Sequence, residues 1–246
     1  MRLYLITLQF LTIIPLPFNL RWEKDDLGRS LAVFPLAGLT IGALLAGADY
    51  LLTPLLSRPL EDALLITLLA AITGALHLDG LADVCDGIAA RGSRERFLEI
   101  MKDSRVGAVG VVGLMLGLLL KWQALAVVPQ EIKWQALLLF PTIARFGQVQ
   151  TIVFAKNARN DGLGSTLIAA AGPSRLLIAG ALTLAVAWAL LQLKGLIVMA
   201  AILVSTWLFR TWFDRKLGGI TGDVVGCINE LNEILVLLLI QTLPKF

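Results

Sequence analysis

Long apolar runs, each close in length to a membrane-spanning helix, recur along this chain of 246 residues. A helix needs about 20 mainly apolar residues to cross a bilayer. Runs of this kind lie at residues 1–18, 31–56, 63–78, 106–128, 134–154, 176–193, 195–212 and 224–243. Only 16% of the residues are charged, which is too few for a typical soluble domain. The sequence therefore predicts an all-α, polytopic transmembrane helix bundle of about seven to eight membrane segments, forming a single integral membrane domain over residues 1–246.

The first apolar run, residues 1–18, has the length of a secretory signal peptide. Its basic region consists of Arg2 alone, no small-x-small cleavage site follows, and Pro15 and Pro17 interrupt its end. We therefore expect a retained first helix that is slightly short for a full span and is closed by the two prolines.

Basic residues are shared unevenly between the alternate connections of this eight-segment arrangement. One side collects fourteen, namely Arg21, Lys24, Arg29, Arg91, Arg94, Arg96, Lys102, Arg105, Lys156, Arg159, Arg175, Arg210, Arg215 and Lys216. The other side collects six, namely Arg2, Arg58, Lys121, Lys133, Lys194 and Lys245. Since cytoplasmic loops carry an excess of Lys and Arg, the first side is predicted to face the cytoplasm. The polar stretches 79–110, 156–164 and 216–223 all fall on that side, so we expect them to meet over one site.

The stretch HLDGLADVCDG at 77–87 carries three acids among apolar neighbours. Asp79, Asp83 and Asp86 are spaced i, i+4 and i+7, so on a helix they project from one face. Three carboxylates stacked in this way repel one another unless water solvates them or cations neutralise them. Two structures are compatible with the pattern, a cation-binding helix face and an ordinary hydrophilic loop between membrane helices.

A second polar stretch, MKDSRVGAVG, follows at 101–110. Asp103 is flanked there by Lys102 and Arg105. Acids, bases and glycines this close together suit the chemistry of Mg²⁺-bound phosphates, because magnesium takes one or two carboxylates plus phosphate oxygens. Beside these charges, we expect the backbone of Gly107 to approach a phosphate closely.

Charged residues also occur near or inside the later apolar runs. The loop GGITGD at 218–223 is denser in glycine than a routine turn, and its Asp223 precedes an apolar run, so ligand contact is predicted there. Glu230 and Glu233 lie about two to three helical turns further on, where an acid is costly unless it is paired or functional. Arg145, in the fifth run, is the expected partner, with binding of a substrate phosphate as the alternative.

The composition argues against several other kinds of site. Cys85 and Cys227 are far apart and form no CxxC pair, which argues against a disulfide framework or a zinc site. His77 is the only histidine, so neither a histidine metal cluster nor a Ser-His-Asp triad is expected. The bases form no stripe with interleaved aromatics, so no nucleic-acid partner is expected.

Motifs along the whole chain resemble those of the cobalamin synthase family, the adenosylcobinamide-GDP ribazoletransferases. They are, in order, FLTIIPLP at 10–17, FPLAG at 34–38, HLDGLADVCDG at 77–87, EIMKDSRVGAVG at 99–110, ARNDGLG at 158–164 and GGITGDVVGCINEL at 218–231. The first motif of this family often carries a base before the Leu/Ile-Pro pair. Ile13 stands there in this chain, so no ligand role is assigned to that stretch.

The resemblance implies a Mg²⁺-dependent transferase of cobalamin biosynthesis. Such an enzyme moves the phosphoryl-cobinamide of adenosylcobinamide-GDP to a hydroxyl of α-ribazole, or of its 5′-phosphate, and releases GMP. The implied setting is the cytoplasmic (inner) membrane of a bacterium or archaeon. The active site would face the cytoplasm, with the lipid bilayer as a partner and self-association left open.

Roles for individual residues follow from this resemblance. The expected metal ligands are Asp79, Asp83, Asp86 and Asp103. The expected catalytic carboxylates, one of which would be the general base, are Asp83, Asp86 and Asp103. Contacts to phosphate or to other parts of the substrate are expected from Lys102, Arg105, Gly107, Arg145, Arg159 and Asp223.

Two other functions compete with this one. CDP-alcohol phosphotransferases of lipid synthesis also displace a nucleoside monophosphate with membrane-embedded acids, but their signature begins D-G-x-x-A-R. In this chain Asp83 and Val84 occupy the Ala and Arg positions of that signature, so the motif fails. An ion-coupled transporter would place its acids near the membrane midplane, whereas these acids are predicted at the cytoplasmic face.

Overall fold

The computed structural model describes residues 1–15, 24–159 and 162–242, which form helices joined by short connections. The helices are α1 Arg2–Leu11, α2 Lys24–Ser30, α3 Phe34–Leu52, α4 Arg58–Ile72, α5 Leu76–Ala89, α6 Arg94–Ile100, α7 Ala108–Ala126, α8 Lys133–Val153, α9 Gly162–Ala169, α10 Pro173–Leu217 and α11 Gly222–Thr242. Single 3₁₀ turns at Leu31–Val33 and Gln130–Ile132 lead into α3 and α8. This architecture confirms the predicted all-α membrane bundle.

Helix α8 is the central helix of the bundle, because it packs against α3, α10 and α11. Its residues 139–152 are all buried. Small residues on α3 let the two helices approach closely. A Cβ atom added to Gly38 would lie 2.5 Å from the carbonyl oxygen of Pro141, and one added to Gly42 would lie 2.6 Å from that of Leu137. This is the packing typical of helices inside a membrane.

Four stretches of the described chain are long and apolar enough to cross a membrane, namely Asp25–Leu52, Ala108–Ala126, Gln130–Val153 and Pro173–Leu217. The bent pair of α4 and α5 makes a fifth if it counts as one span. Outward-facing apolar side chains such as Met115, Leu184 and Trp207 are more than half exposed, which suits contact with lipid. The total of about seven to eight segments stays a prediction.

The long helix α10 is broken at Gln192, whose backbone angles are φ 47° and ψ −131°. A Cβ atom on Gly195 would collide with the carbonyl oxygen of Ala187. Residues eight apart in a straight helix are separated by about 12 Å. The chain therefore turns back at this point, which separates the two apolar runs predicted at 176–193 and 195–212.

The third predicted run, 63–78, is wrong at its C-terminal end. Helix α4 ends at Ile72, and α5 leaves it at 91°. The turn uses two successive residues with left-handed backbone, Gly74 at φ 58° and Ala75 at φ 56°. His77 and the three acids that follow it therefore share one helix, α5, which is distinct from α4.

The first segment is shorter than predicted. Helix α1 has 10 residues and so extends only about 15 Å, and residues 16–23 lie outside the described part of the chain. The guanidinium of Arg2 lies 2.6 Å from the carboxylate of Asp26. Assigning Arg2 to the side opposite the 21–30 connection was therefore wrong, because a helix this short does not separate the two.

Two lysines that the sequence placed in loops are instead buried. Lys121 lies inside α7 with 2% of its surface exposed, and Lys133 at the start of α8 is fully buried. Lys133 contacts the carboxylates of Asp49, Glu61 and Asp62 within 3.0 Å. Because both lysines neutralise buried acids, they should not be counted as loop charges when the orientation in the membrane is predicted.

Candidate active site

Helix α5 presents the acidic face that the spacing predicted. Asp79 is exposed, and Asp83 and Asp86 are half-buried, while Leu81 and Val84 between them are buried in the core. The apolar side of the helix is held against α7 and α11. The carboxylates are therefore fixed on the outer side of a packed helix and are not on a free loop.

Helix α11 begins directly beside these acids. A Cβ atom added to Gly80 would lie 2.5 Å from the backbone oxygen of Asp223, so the two helices touch through backbone at this point. The carboxylate of Asp223 accepts a hydrogen bond of 3.0 Å from Arg159. Glycine at 80 thus allows acids from two distant stretches of sequence to share one surface.

Backbone hydrogen bonds join the remaining polar loops to this surface. The amide of Ile220 donates to Lys156, and the amide of Ala158 donates back to Ile220, at 2.8 and 3.1 Å. Arg94 of α6 donates to the carbonyl oxygens of Leu217 and Ala158 at 2.5 and 2.8 Å. The connections before α9 and α11 are therefore held together, with α6 attached to both.

These contacts create a cleft of about 540 Å³. Four acids and two bases contribute to its wall, namely Asp79, Asp83, Lys102, Asp103, Arg159 and Asp223. The structure thus confirms that the stretches 79–110, 156–164 and 216–223 meet over one site. Asp161, from the 156–164 stretch, lies outside the described residues.

Asp86 has a different environment from its neighbours on α5. Its two carboxylate oxygens accept hydrogen bonds of 2.7 Å from the backbone N–H groups of Gly107 and Gly110. These amides stand at the start of α7, where a negative charge stabilises the helix. Asp86 therefore holds the 101–110 stretch against α5, and the amide of Gly107, which we expected to face a phosphate, is already used by this carboxylate.

Asp103 and Arg105 form an exposed ion pair with a closest distance of 2.7 Å. Asp103 accepts hydrogen bonds from the side chain and the backbone N–H of Arg105, and these bonds lower the pKa of Asp103 from 3.8 to about 2. Asp103 is consequently ionised at any physiological pH. Arg105 is 86% exposed and lies outside the wall of the cleft, so its contact with the site runs through Asp103.

The carboxylates of the cleft form a donor set that suits a hard cation. Asp83 is repelled by Asp79, Asp223 and Asp86 and is attracted by Arg159. Among the described residues, no three His, Cys, Asp or Glu side chains already converge closely enough to hold a metal ion. A hard cation takes oxygen ligands and keeps several waters or phosphate oxygens, so two of these carboxylates suffice for it.

A second, mainly apolar pocket of about 220 Å³ opens beside the cleft. It shares Asp79, Arg159, Gly162 and Asp223 with the cleft, so the two cavities lie side by side along these residues. The sequence predicted functional contacts for Asp79, Arg159 and Asp223 on its rim, but it did not predict the apolar walls, which come from residues of α1, α3, α5, α8, α9 and α11.

Arg145 lies in the interior of the bundle and outside the walls of both cavities. Its guanidinium donates to Asn229 and forms an ion pair with Glu233. Lys121 binds Glu233 and Glu230 at 2.5 and 2.6 Å. The predicted pairing of Arg145 with the acids of α11 is therefore correct for Glu233, while Glu230 pairs with Lys121. A phosphate contact of Arg145 is excluded in this arrangement, since the side chain is fully buried.

Comparison with known proteins decides the family. The model of the cobalamin-5-phosphate synthase family matches residues 3–241. The chain belongs to the cobalamin-5-phosphate synthase family. A Geotalea daltonii protein named adenosylcobinamide-GDP ribazoletransferase is 59% identical over 97% of this chain and 96% of its own length. Proteins of the same name from Pseudomonas putida and Acetivibrio thermocellus are 43% and 36% identical over 96% of this chain, covering 96% and 95% of their own lengths.

Membership of the cobalamin-5-phosphate synthase family confirms the resemblance inferred from the motifs. The matched residues include the whole acidic cleft, the 156–164 connection and the start of α11. No solved structure matches the chain. The family assignment therefore identifies the kind of enzyme, and the positions of the cleft residues come from this structure.

Proposed function

We propose that this protein is an adenosylcobinamide-GDP ribazoletransferase that completes the nucleotide loop of cobalamin. The observation that carries the proposal is the convergence of three distant polar stretches on one cleft with four acids and two bases. A diphosphate between two large groups needs bases to bind its oxygens and acids to hold a cation and accept a proton. The family membership supplies the substrates, and it does not favour a CDP-alcohol phosphotransferase or a transporter.

Lys102 and Arg159 bind the diphosphate of adenosylcobinamide-GDP in this proposal. Both line the cleft, and Arg159 is only 20% exposed, so part of its hydration is already removed. Its pairing with Asp223 fixes the direction of the guanidinium. Binding the donor between these two bases would orient the phosphorus toward the acids of α5.

Asp79 and Asp103 would hold Mg²⁺, since magnesium uses one or two carboxylates and completes its shell with water and phosphate oxygens. When bound there, the ion supplies charge neutralisation at the bridging and leaving phosphate oxygens. Asp86 and Gly107 serve instead to position the 101–110 stretch, because their polar groups are engaged with each other. Asp103 is kept ionised by Arg105, and a cation would share the two carboxylate oxygens of Asp103 with that guanidinium.

Asp83 is the proposed proton acceptor. Asp86 is bonded to two backbone amides, and the low pKa of Asp103 makes that carboxylate a weak base. Asp83 faces the cleft without such partners among the hydrogen bonds of the described residues. A ribose hydroxyl of α-ribazole forms a bond to the cobinamide-linked phosphorus, its proton passes to Asp83, and the bond between phosphorus and the GMP oxygen breaks.

The proposal is tested by incubating the purified protein in detergent with adenosylcobinamide-GDP and α-ribazole and measuring GMP and cobamide. We expect equal amounts of both products, and only when Mg²⁺ is present. Product formation after complete chelation of divalent ions would exclude a role for the metal, but it would not contradict the proposed transferase activity. GMP release without cobamide formation, or no GMP release by folded protein, would contradict the proposed transferase activity.

We further propose that the cleft faces the cytoplasm of a bacterial inner membrane. Helix α7 starts beside Asp86 and extends about 28 Å, so Ser104 and Gln130 lie at opposite ends of the bundle. A membrane-impermeant thiol reagent should label Ser104→Cys in inverted vesicles and Gln130→Cys in right-side-out vesicles. The reverse pattern would place the cleft on the other side.

A further inference from the structure

We infer that the apolar pocket beside the cleft binds the benzimidazole base of the α-ribazole acceptor. This inference rests on the proposed function and specifies where one of its two substrates binds. The pocket and the acidic cleft share Asp79, Arg159 and Asp223. A nucleoside whose base fills the pocket therefore has its ribose at the shared rim, where a ribose hydroxyl faces the acids of α5.

The walls of the pocket match a flat, apolar ring. They include two aromatic and four aliphatic side chains, namely Phe10, Phe34, Ile152, Leu167, Ile220 and Val225. Most of these side chains are buried in the core, so the shape of the pocket is fixed by the packing of the helices. A dimethylbenzimidazole ring is almost entirely apolar, and its transfer from water into such a pocket is favourable.

The other large groups of the two substrates fit this pocket poorly. A corrin ring is far larger than the cavity of about 220 Å³. Guanine carries a carbonyl oxygen, ring nitrogens and an amino group that all need hydrogen bonds, and leaving such groups unpaired in an apolar pocket is unfavourable. The guanine and the corrin are therefore assigned to the open acidic side.

Two buried polar side chains contribute to the wall of the pocket. Nε2 of His77 and Nε2 of Gln148 are 2.6 Å apart and hydrogen bonded, and these residues are 4% and 1% exposed. Nδ1 of His77 and Oε1 of Gln148 have no hydrogen-bond partner within the described residues. Buried polar atoms are normally satisfied. A ring nitrogen of the base would supply one missing partner, which gives this otherwise apolar pocket a means of orienting the ring.

Filling the pocket is the direct test. Leu167→Phe adds an aromatic ring to the wall, and the matched control Leu119→Phe makes the same change on the exposed face of α7. We expect Leu167→Phe to raise the KM for α-ribazole about tenfold or more, as a misfit of this size does in apolar pockets. The KM for adenosylcobinamide-GDP should stay within about twofold of wild type, and the control should change neither constant.

A binding measurement separates this inference from the proposed function, because it needs no turnover. The intrinsic fluorescence of α-ribazole reports its binding to the protein in detergent, and free dimethylbenzimidazole should displace it while guanosine should not. If Leu167→Phe does not fold, Val225→Ile adds one methylene to another part of the wall and should weaken binding less severely. A selective rise in the KM for adenosylcobinamide-GDP, displacement by guanosine, or unchanged α-ribazole binding in folded variants would overturn the inference. Binding of α-ribazole without any transfer would support the pocket and contradict the proposed function.

Discussion

Gly80 and Asp223 are in backbone contact, and this contact joins the two acidic parts of the cleft. A Cβ atom on Gly80 would lie 2.5 Å from the carbonyl oxygen of Asp223 and 3.0 Å from its Cα. Real Cβ atoms essentially never approach backbone so closely. The separation of α5 and α11 at the site is therefore set by the absence of a side chain at position 80.

Gly80→Ala should reduce kcat at least about tenfold. The added methyl group forces α5 and α11 apart, which moves Asp79 and Asp83 away from Asp223 and Arg159, and misplacements of about 1 Å can cost 100-fold in rate. Helix propensity alone would favour alanine by about 1 kcal/mol, so the loss would come from the contact. The measurement is cobamide formation at saturating substrates together with thermal unfolding.

Gly47→Ala is the matched control for this prediction. Gly47 also lies within a helix, α3, but a Cβ atom there would meet nothing within 4 Å. This variant should keep wild-type kcat and be as stable or slightly more stable. Equal activity of the two variants would show that the contact between Gly80 and Asp223 does not set the geometry of the site.

Asp83→Asn should abolish turnover while leaving the protein folded. The side chain is half-buried at the cleft and is not one of the carboxylates engaged with helix α7, so the isosteric amide disturbs little packing. Loss of the general base typically lowers kcat by about 100- to 10,000-fold. GMP release gives the rate, and an unchanged gel-filtration profile in detergent serves as the folding control. Near-normal kcat in this variant would exclude Asp83 as the proton acceptor.

Local spacing in the sequence was enough to predict the helical acidic face and the meeting of the polar stretches. The i, i+4, i+7 pattern of Asp79, Asp83 and Asp86 depends only on the period of a helix. The sharing of one site by distant motifs followed from the alternation of membrane segments. The first deduction needs only the period of a helix within one motif. The second needs only the alternation of segments that all polytopic membrane proteins share.

The details that the sequence could not predict depend on contacts between distant elements. The resemblance implied the same metal-binding and catalytic roles for Asp86 as for Asp83, whereas the start of α7 turns its amides toward Asp86. Lys121 was counted with the loop charges of one side although it lies within the apolar run 106–128, and its burial is explained by Glu230 and Glu233 beside it. The apolar walls of the pocket had no sequence signal, because they are formed by ordinary apolar residues from helices that are distant in the sequence.

Arg105→Gln should leave the acid side of the pH–rate profile unchanged above pH 5. The pKa of Asp103 is lowered from 3.8 to about 2 by Arg105, so the stabilisation from this ion pair is present above about pH 4 and disappears as the pH falls through about 2. Without Arg105, the pKa of Asp103 returns toward 3.8, which is still below the range of the assay. The measurement is kcat/KM between pH 5 and pH 9. An acid limb that moves upward in the variant would show that Asp103 titrates within the working range.

Glu233→Gln should destabilise the bundle by about 3–5 kcal/mol, the usual cost of removing one partner from a buried ion pair. Glu233 is 1% exposed and joins Lys121 to Arg145, so the neutral amide leaves two buried cations with less compensating charge. The matched control is Glu99→Gln, which breaks an exposed pair with Arg96 and should cost less than about 1 kcal/mol. Unfolding of both variants in mixed micelles of rising SDS fraction gives the two free energies. A Glu233→Gln protein as stable as the control would show that the charges of Lys121 and Arg145 are compensated without Glu233, and that this acid is retained for a reason other than stability.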